Sequence, residues 1–247
     1  MRPVRISLQI LEEVATCQPI GTSELANRLG LSKTTVHRAL ASLAEAGWIE
    51  PSGEARRSWQ LSIHALVVAG RAIESRSALR SVAIPVMEGL RRTTEETVHL
   101  VTRYRDSVAL IERLDGIKPV RVFHPLGGRA PLHVTSTGKA ILAHLPGPEL
   151  QAYLEQGLSG AAVDLGALVE ELELVRQRGF AMNLGQNVPD ANAVAAAIIG
   201  DGGAPIAAIS VSGPSERMPE ALCLARGALV NDAARRIALG LRIPGAH

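Results

Sequence analysis

The sequence predicts an α+β chain of two domains, and three observations carry that reading. Residues 6–50 show short amphipathic helical patterns separated by small-residue turns. From Thr97 onward the apolar period shortens toward two, the mark of strands. Between these regimes lies one helical stretch, 62–80, that is not apolar all round. The expected organisation is a first domain over 1–61, a linker helix over 62–80 and a second domain over 81–247. A length of 247 residues suffices for two real cores, and 47% hydrophobic with 20% charged residues is a folded composition.

In the first domain, Ile10, Leu11 and Val14 share one face of a first helix. Thr22 is placed to cap a second, with Leu25, Ala26 and Leu29 on its inner face. Gly30-Leu31 makes a tight turn, and Ser32 caps a third helix that runs to about Ala46 and ends at Gly47. Trp48–Glu50 and Trp59–Leu61 read as two short strands joined through residues 51–58. In the linker, Leu66, Val67, Gly70 and Ile73 are apolar, while Arg71, Glu74, Arg76 and Arg80 point away. Pro85 suits the first turn of the next helix, which stops before Glu95-Glu96, expected to be a solvated helix end.

The second domain starts with strands Thr97–Arg103 and Ser107–Leu114 around the turn Tyr104-Arg105-Asp106. Helices are expected over Gly138–His144 and Leu165–Arg178, and strands over Phe180–Asn183, Ala191–Ile199 and Pro205–Val211. The last two strands join through Gly200–Ala204, and Pro219–Leu241 closes the chain as a helix.

Several function classes fall away. A net charge of +2 gives no global signal for a polybasic partner, so any basic patch is local. Two cysteines, Cys17 and Cys223, are too few for a disulfide scaffold or zinc ribbon, and both read as inert buried thiols. Met-Arg-Pro-Val-Arg runs into Leu11-Glu12-Glu13 without a signal-peptide core, and the longest apolar run, Ala193–Ile199, is far short of a bilayer span. The expectation is a cytoplasmic chain with no membrane partner. Gly138-Lys139 fails as a phosphate loop, because His133 replaces the first glycine and Ala140 the metal-binding hydroxyl. Gly200-Asp201-Gly202-Gly203 has Pro205 where a dinucleotide fingerprint needs glycine. There is no Gly-x-Ser-x-Gly elbow and no HExxH, and His124, His133 and His144 are too widely spaced for one helix face. No catalytic residues, cofactor or metal are expected.

Helix, tight turn, helix and a two-stranded hairpin are the layout of a winged helix-turn-helix. On the third helix Val36, Ala39, Leu40 and Leu43 form the packing face. The segment Ser32, Lys33, Thr34, Thr35, His37 and Arg38 leaves short polar and cationic side chains for the major groove, with the helix N-terminus toward phosphate. Arg56 and Arg57 at the hairpin tip suit backbone contact. A three-helix unit serving only as a packing module is the plainer alternative. The two differ in whether duplex DNA is bound in a salt-dependent way.

These residues also resemble a known family. Glu24-Leu25-Ala26-Asn27-Arg28-Leu29-Gly30-Leu31-Ser32-Lys33-Thr34-Thr35-Val36-His37-Arg38 is similar to the helix-turn-helix of the IclR family of bacterial transcriptional regulators. Pro131–Ala143 resembles the family's loop-and-helix signature, and Ala207–Pro214 followed by Arg217 resembles its last core strand. The resemblance implies a GAF-like antiparallel-sheet effector domain that binds a small metabolite, and tetramers formed as dimers of dimers. It assigns effector contacts to Ser136, Thr137, Asn183 and Ala193, with Asn187 nearby. This sequence departs from the family there: Asn183 stands for an acid, Ala193 for a cysteine, Gln186 for a glutamate, Asp190 for a glycine and Ala197 for a proline. A less anionic, roomier pocket points to an organic or aromatic acid, with Arg113, Arg121 or Arg129 as a candidate carboxylate partner. The expected partners are therefore a double-stranded DNA operator, a small-molecule effector and a second copy of the chain, since one recognition helix reads too few base pairs. The competing class is a metabolite-binding protein or enzyme whose first domain serves assembly.

Overall fold

The computed structural model describes residues 2–53, 57–74, 77–158 and 163–242. The chain divides into two compact units, Met1–Arg76 and Ser77–His247. The first holds α1 (Arg2–Cys17), β1 (Ile20–Gly21), α2 (Thr22–Leu29), α3 (Lys33–Glu45), β2 (Ile49–Ser52), β3 (Ser58–Leu61) and α4 (Ile63–Glu74). Ile10, Val14, Leu25, Val36, Leu40 and Leu43 meet in one core, joined by Ile20 and Ile49 from the small sheet. That sheet is antiparallel in the order β1-β3-β2.

The helix ends follow local chemistry. The Ser32 hydroxyl accepts the Thr35 amide at 3.2 Å, capping α3. At the other end Trp48 N–H donates to Leu43 O across Gly47, whose φ of 78° suits a residue without Cβ. Thr22, expected as the cap of α2, is instead its first residue. Gly21 stands at the cap without a side-chain bond, because the short strand β1 holds the entering backbone extended.

The second unit begins with α5 (Ser77–Thr94), so residues 77–80, expected in the linker helix, belong to this longer helix. Pro85 lies inside α5, not in its first turn as expected. It is tolerated there because it is on the exposed side of the helix, where the backbone group left without its N–H partner is not sealed in the core. Next come β4 (Thr97–Tyr104), β5 (Ser107–Leu114), β6 (Arg129–Pro131), a 3₁₀ turn (Leu132–Val134) and α6 (Ser136–Ala143). They are followed by α7 (Gly147–Ala152), a π turn (Tyr153–Gly157), α8 (Leu165–Arg178), β7 (Ala181–Leu184), β8 (Ala191–Ile199), β9 (Pro205–Pro214) and α9 (Glu220–Leu241). The strands form one antiparallel sheet in the order β6-β5-β4-β9-β8-β7.

Strict alternation gives this sheet two cores. Val98, Leu100, Val194, Ile198, Ile209 and Val211 pack with Met87 of α5 and Val230 and Ile237 of α9. The intervening residues Val101, Ala181, Ala195, Ala197 and Ala208 pack with Leu132, with Ile141 and Leu142 of α6, and with Leu172 and Val175 of α8. Glu96 is buried, contrary to the expectation of a solvated pair. Arg217 reaches it with both Nε at 2.7 Å and a terminal nitrogen at 2.8 Å, so its charge is matched. Glu95 is exposed and pairs with Lys118. Cys223 is buried and its thiol is pushed up to about 11 by burial, as an inert thiol should be. Cys17 departs from that expectation: it is half-buried, between Glu13 and Arg28.

Candidate functional site

In the first unit the packing of α3 decides what it shows to solvent. Val36, Ala39, Leu40 and Leu43 are buried, which leaves Ser32, Lys33, Thr34, His37 and Arg38 exposed along its first two turns. Thr35 is half-buried, its hydroxyl 2.8 Å from that of Ser32, so it serves the cap as well as the surface. Lys33 and Arg38 have no ion-pair partner among the described residues, and their charges stay available. Arg57 is exposed just before β3, while Arg56 lies outside the described residues.

In the second unit a cavity of about 370 Å³ opens on the sheet face that carries α6. Ser136, Thr137, Asn183, Asn187 and Ala193, drawn from α6, β7, the β7–β8 loop and β8, all line it. The β-sheet register explains the convergence: Asn183 pairs with Ala193, and Ala193 with Ser212, in one row across three strands. Ser210 and His99 pair in the next row, on the same face. Small side chains at Ala193, Ser210 and Ser212 leave the volume that α6 does not fill.

The first turn of α6 faces this space. The Thr135 hydroxyl accepts the Gly138 amide at 3.0 Å, and the Thr135 carbonyl accepts the Lys139 amide at 2.9 Å. The amides of Ser136 and Thr137 precede the first intrahelical acceptor, so they suit an anion. Gly138 is required: a Cβ there would overlap the backbone of Leu132. Asn183 is partly committed to the protein, donating to Val134 O and accepting the Gln186 amide at 3.1 Å. One of its two amide hydrogens remains for a ligand.

Gln186 has a second role. Its Oε1 accepts from the fully buried Lys139 Nζ at 2.7 Å, while Glu171 holds the same ammonium at 2.6 Å. Burial pushes the Lys139 ammonium below its ordinary range, and Glu171 pulls it back up. The β7–β8 loop, which carries Asn187 and Val188 to the cavity, is thereby tied to α6.

Sequence reasoning missed His99, Ser210, Ser212 and Asn192, which also line the cavity. His99, Ser210 and Ser212 lie in the polar phase of β4 and β9, whereas Asn192 shares the phase of Val194 and donates to Met218 O at 2.9 Å; only strand pairing brings these positions together. Of the three candidate arginines, Arg129 lines the cavity, exposed and over the Tyr104 ring at 5.4 Å. Arg113 is spent on Asp115 at 2.7 Å, the Phe123 ring and the His124 carbonyl, and Arg121 faces Asp115 at 3.8 Å. No carboxylate side chain lines the cavity among the described residues. His99 and His124 are both pushed down, burial being the first cause, and His99 falls to about 3. No group of metal-ligating side chains, and no helix long and apolar enough to cross a membrane, occurs among the described residues.

Comparison with known proteins places both units in one family. A family model described as bacterial transcriptional regulator IclR C-terminal matches residues 72–239, and the IclR helix-turn-helix domain matches residues 3–53. The chain is 35% identical over 242 residues to the HTH-type transcriptional repressor AllR of Escherichia coli strain K12, covering 95% of this chain and 88% of that one. It is 33% identical over 246 residues to the HTH-type transcriptional regulator BhcR of Paracoccus denitrificans, covering 98% and 88%. Both relatives are regulators, not enzymes. The crystal structure of an IclR transcriptional regulator from Alicyclobacillus acidocaldarius shares the fold with a TM-score of 0.80 at 21% identity, covering 98% of this chain and 99% of that one. An IclR homolog from Microbacterium hydrocarbonoxydans, complexed with 4-hydroxybenzoate, has a TM-score of 0.77 at 24% identity, covering 96% and 98%.

Proposed function

Because the chain belongs to the IclR family of bacterial transcriptional regulators, we propose that a small organic or aromatic acid, held in the cavity of the second unit, controls its grip on operator DNA. One observation carries this reading. The cavity joins an apolar wall, the N-terminal turn of α6 and Arg129, with no side-chain carboxylate among the described lining residues. Such a lining favours one anionic end and an apolar body, and about 370 Å³ holds a compact acid. Ser136, Thr137 and Asn183 donate hydrogen bonds to it, and the small Ala193 leaves room for a ring. The neighbour that holds 4-hydroxybenzoate supplies the first probe.

In the first unit, Ser32 to Arg38 enter the major groove and Arg57 touches phosphate. A homodimer presents two such helices to a pseudo-palindromic site. The exposed side chains of Val4 and Leu8 on α1, and of Ile63, Leu66 and Val67 on α4, support a contact between copies. A dimer of dimers through the second units extends it. Such a protein works in the cytoplasm, where its operator is.

Fluorescence anisotropy against DNA from its own upstream intergenic region, at two salt concentrations and with scrambled DNA as control, tests the reading. Sequence-selective binding that shifts with 4-hydroxybenzoate or an aliphatic acid is expected. Selective binding that no acid shifts would remove the proposed effector class. Arg38→Ala should cost about 1–3 kcal/mol of operator affinity if Arg38 reads a base edge. Unchanged affinity would take Arg38 out of the reading set.

A further inference from the structure

Resting on the acid-binding reading above, we propose that His99 selects among acids through a hydrogen bond between its Nε2 and a neutral polar group of the ligand. The cavity then prefers a monocarboxylate bearing a hydroxyl or carbonyl over both the unsubstituted acid and the dicarboxylate.

The argument starts from an atom without a partner. His99 is 5% exposed, sits on β4 and lines the cavity. Its Nδ1 lies 3.3 Å from the Ser212 hydroxyl, but Nε2 is buried with no hydrogen bond. Buried polar atoms are nearly always satisfied. Among the described residues the two other buried side-chain atoms without a hydrogen bond, Arg113 Nε and Asp115 Oδ1, meet each other as an ion pair at 2.7 Å. His99 Nε2 has neither kind of partner among the described residues, so what satisfies it must come from the contents of the cavity.

Its chemistry follows from its surroundings. Burial, the neighbouring His124 ring 5.5 Å away and the Arg113 cation all oppose a charge on the ring. A neutral imidazole offers one N–H and one lone pair, and Ser212 decides which faces the ligand. When the Ser212 hydroxyl donates to Nδ1, Nε2 carries the hydrogen and donates. When Nδ1–H donates to Ser212, Nε2 accepts. The ring's tautomer, with the Ser212 hydroxyl turned to match it, therefore suits either a carbonyl or a hydroxyl. An unsubstituted acid would leave Nε2 unsatisfied, and a dicarboxylate would bury a second charge beside a ring that stays neutral.

Calorimetric titration of the full-length protein tests this with two matched sets: benzoate, 4-hydroxybenzoate and terephthalate; propionate, 3-hydroxypropionate and malonate. In at least one set the hydroxy acid should bind about tenfold or more tightly than its two companions, the size expected for one buried hydrogen bond. His99→Leu should erase that advantage, and His99→Gln, which keeps a donor and an acceptor, should retain part of it. If His99→Leu does not fold, the imidazole ¹⁵N signals of the unaltered protein carry the test: Nε2 of His99 should shift with the hydroxy acid and not with the parent acid. Equal binding within each set, a preference that survives His99→Leu, or a stationary Nε2 signal would overturn the role of His99 while acid binding stands. If no acid of either set binds, the acid-effector reading itself fails, and this inference with it.

Discussion

The two faces of the six-stranded sheet are built from the same strands and do opposite things. Val98, Leu100, Val194, Ile198, Ile209 and Val211 stand on one face as branched or long aliphatics packed under α5 and α9. His99, Ala193, Ala195, Ser210 and Ser212 occupy the alternate positions, and all of these except Ala195 line the cavity. The difference teaches that stability and recognition are separated here by parity along the strand, not by location in the chain. In Ser210-Val211-Ser212 the middle residue belongs to the core and its two neighbours to the cavity.

That separation can be broken in order of expected effect. Ile198→Ala removes a fully buried side chain from the packed face and should destabilise the domain by about 2–5 kcal/mol in urea unfolding. Ligand affinity of the folded fraction should hold, and a parallel loss would show that the faces are not independent. Acidification acts through the cavity face. The unfolded chain takes up a proton on His99 near pH 6.5, whereas the folded chain refuses it down to about pH 3. This group's contribution is therefore fully present above pH 6.5 and lost as pH falls through that window, by on the order of 1.4 kcal/mol per pH unit. His99→Gln should flatten that part of the urea-midpoint profile. The smallest stability effect is expected for Ala193→Val, which fills cavity space. Its unfolding free energy should stay within about 0.5 kcal/mol while calorimetry records at least a several-fold loss of acid affinity. Unchanged affinity would place the ligand away from β8.

Features set by neighbours along the chain are legible in the amino-acid order itself. The Ser32 cap, the apolar face of α3 and the Gly30 turn each depend on residues within one or two helical turns. The cavity residues Ser136 and Thr137 of α6 are legible too, because they sit in a motif that carries the family resemblance, and that resemblance also assigns Asn183 of β7 and Ala193 of β8. What is not legible depends on distant partners. Glu96 looks like a solvated acid until Arg217, 121 positions later, folds onto it. His99 gains meaning only when β4 lies beside β9, which places Ser210 opposite it and Ser212 within reach of its ring. Pro85 defies its expected place because a helix-interior proline is costly in general, yet the exposed side of α5 tolerates one.

The pairing of β8 with β9 runs from Ala191 opposite Pro214 to Ile199 opposite Pro205, and the turn Gly200–Ala204 closes it with Gly200 N–H donating to Ala204 O at 2.9 Å. A slip of β9 by a single residue would turn Ile209 and Val211 into the cavity and push Ser210 and Ser212 beneath α9. A misthreaded molecule would thus lose its cavity and its stability for the same reason. Folding itself proofreads the chemistry of the pocket, and a turn that contributes no residue to the lining helps to set which side chains face the cavity.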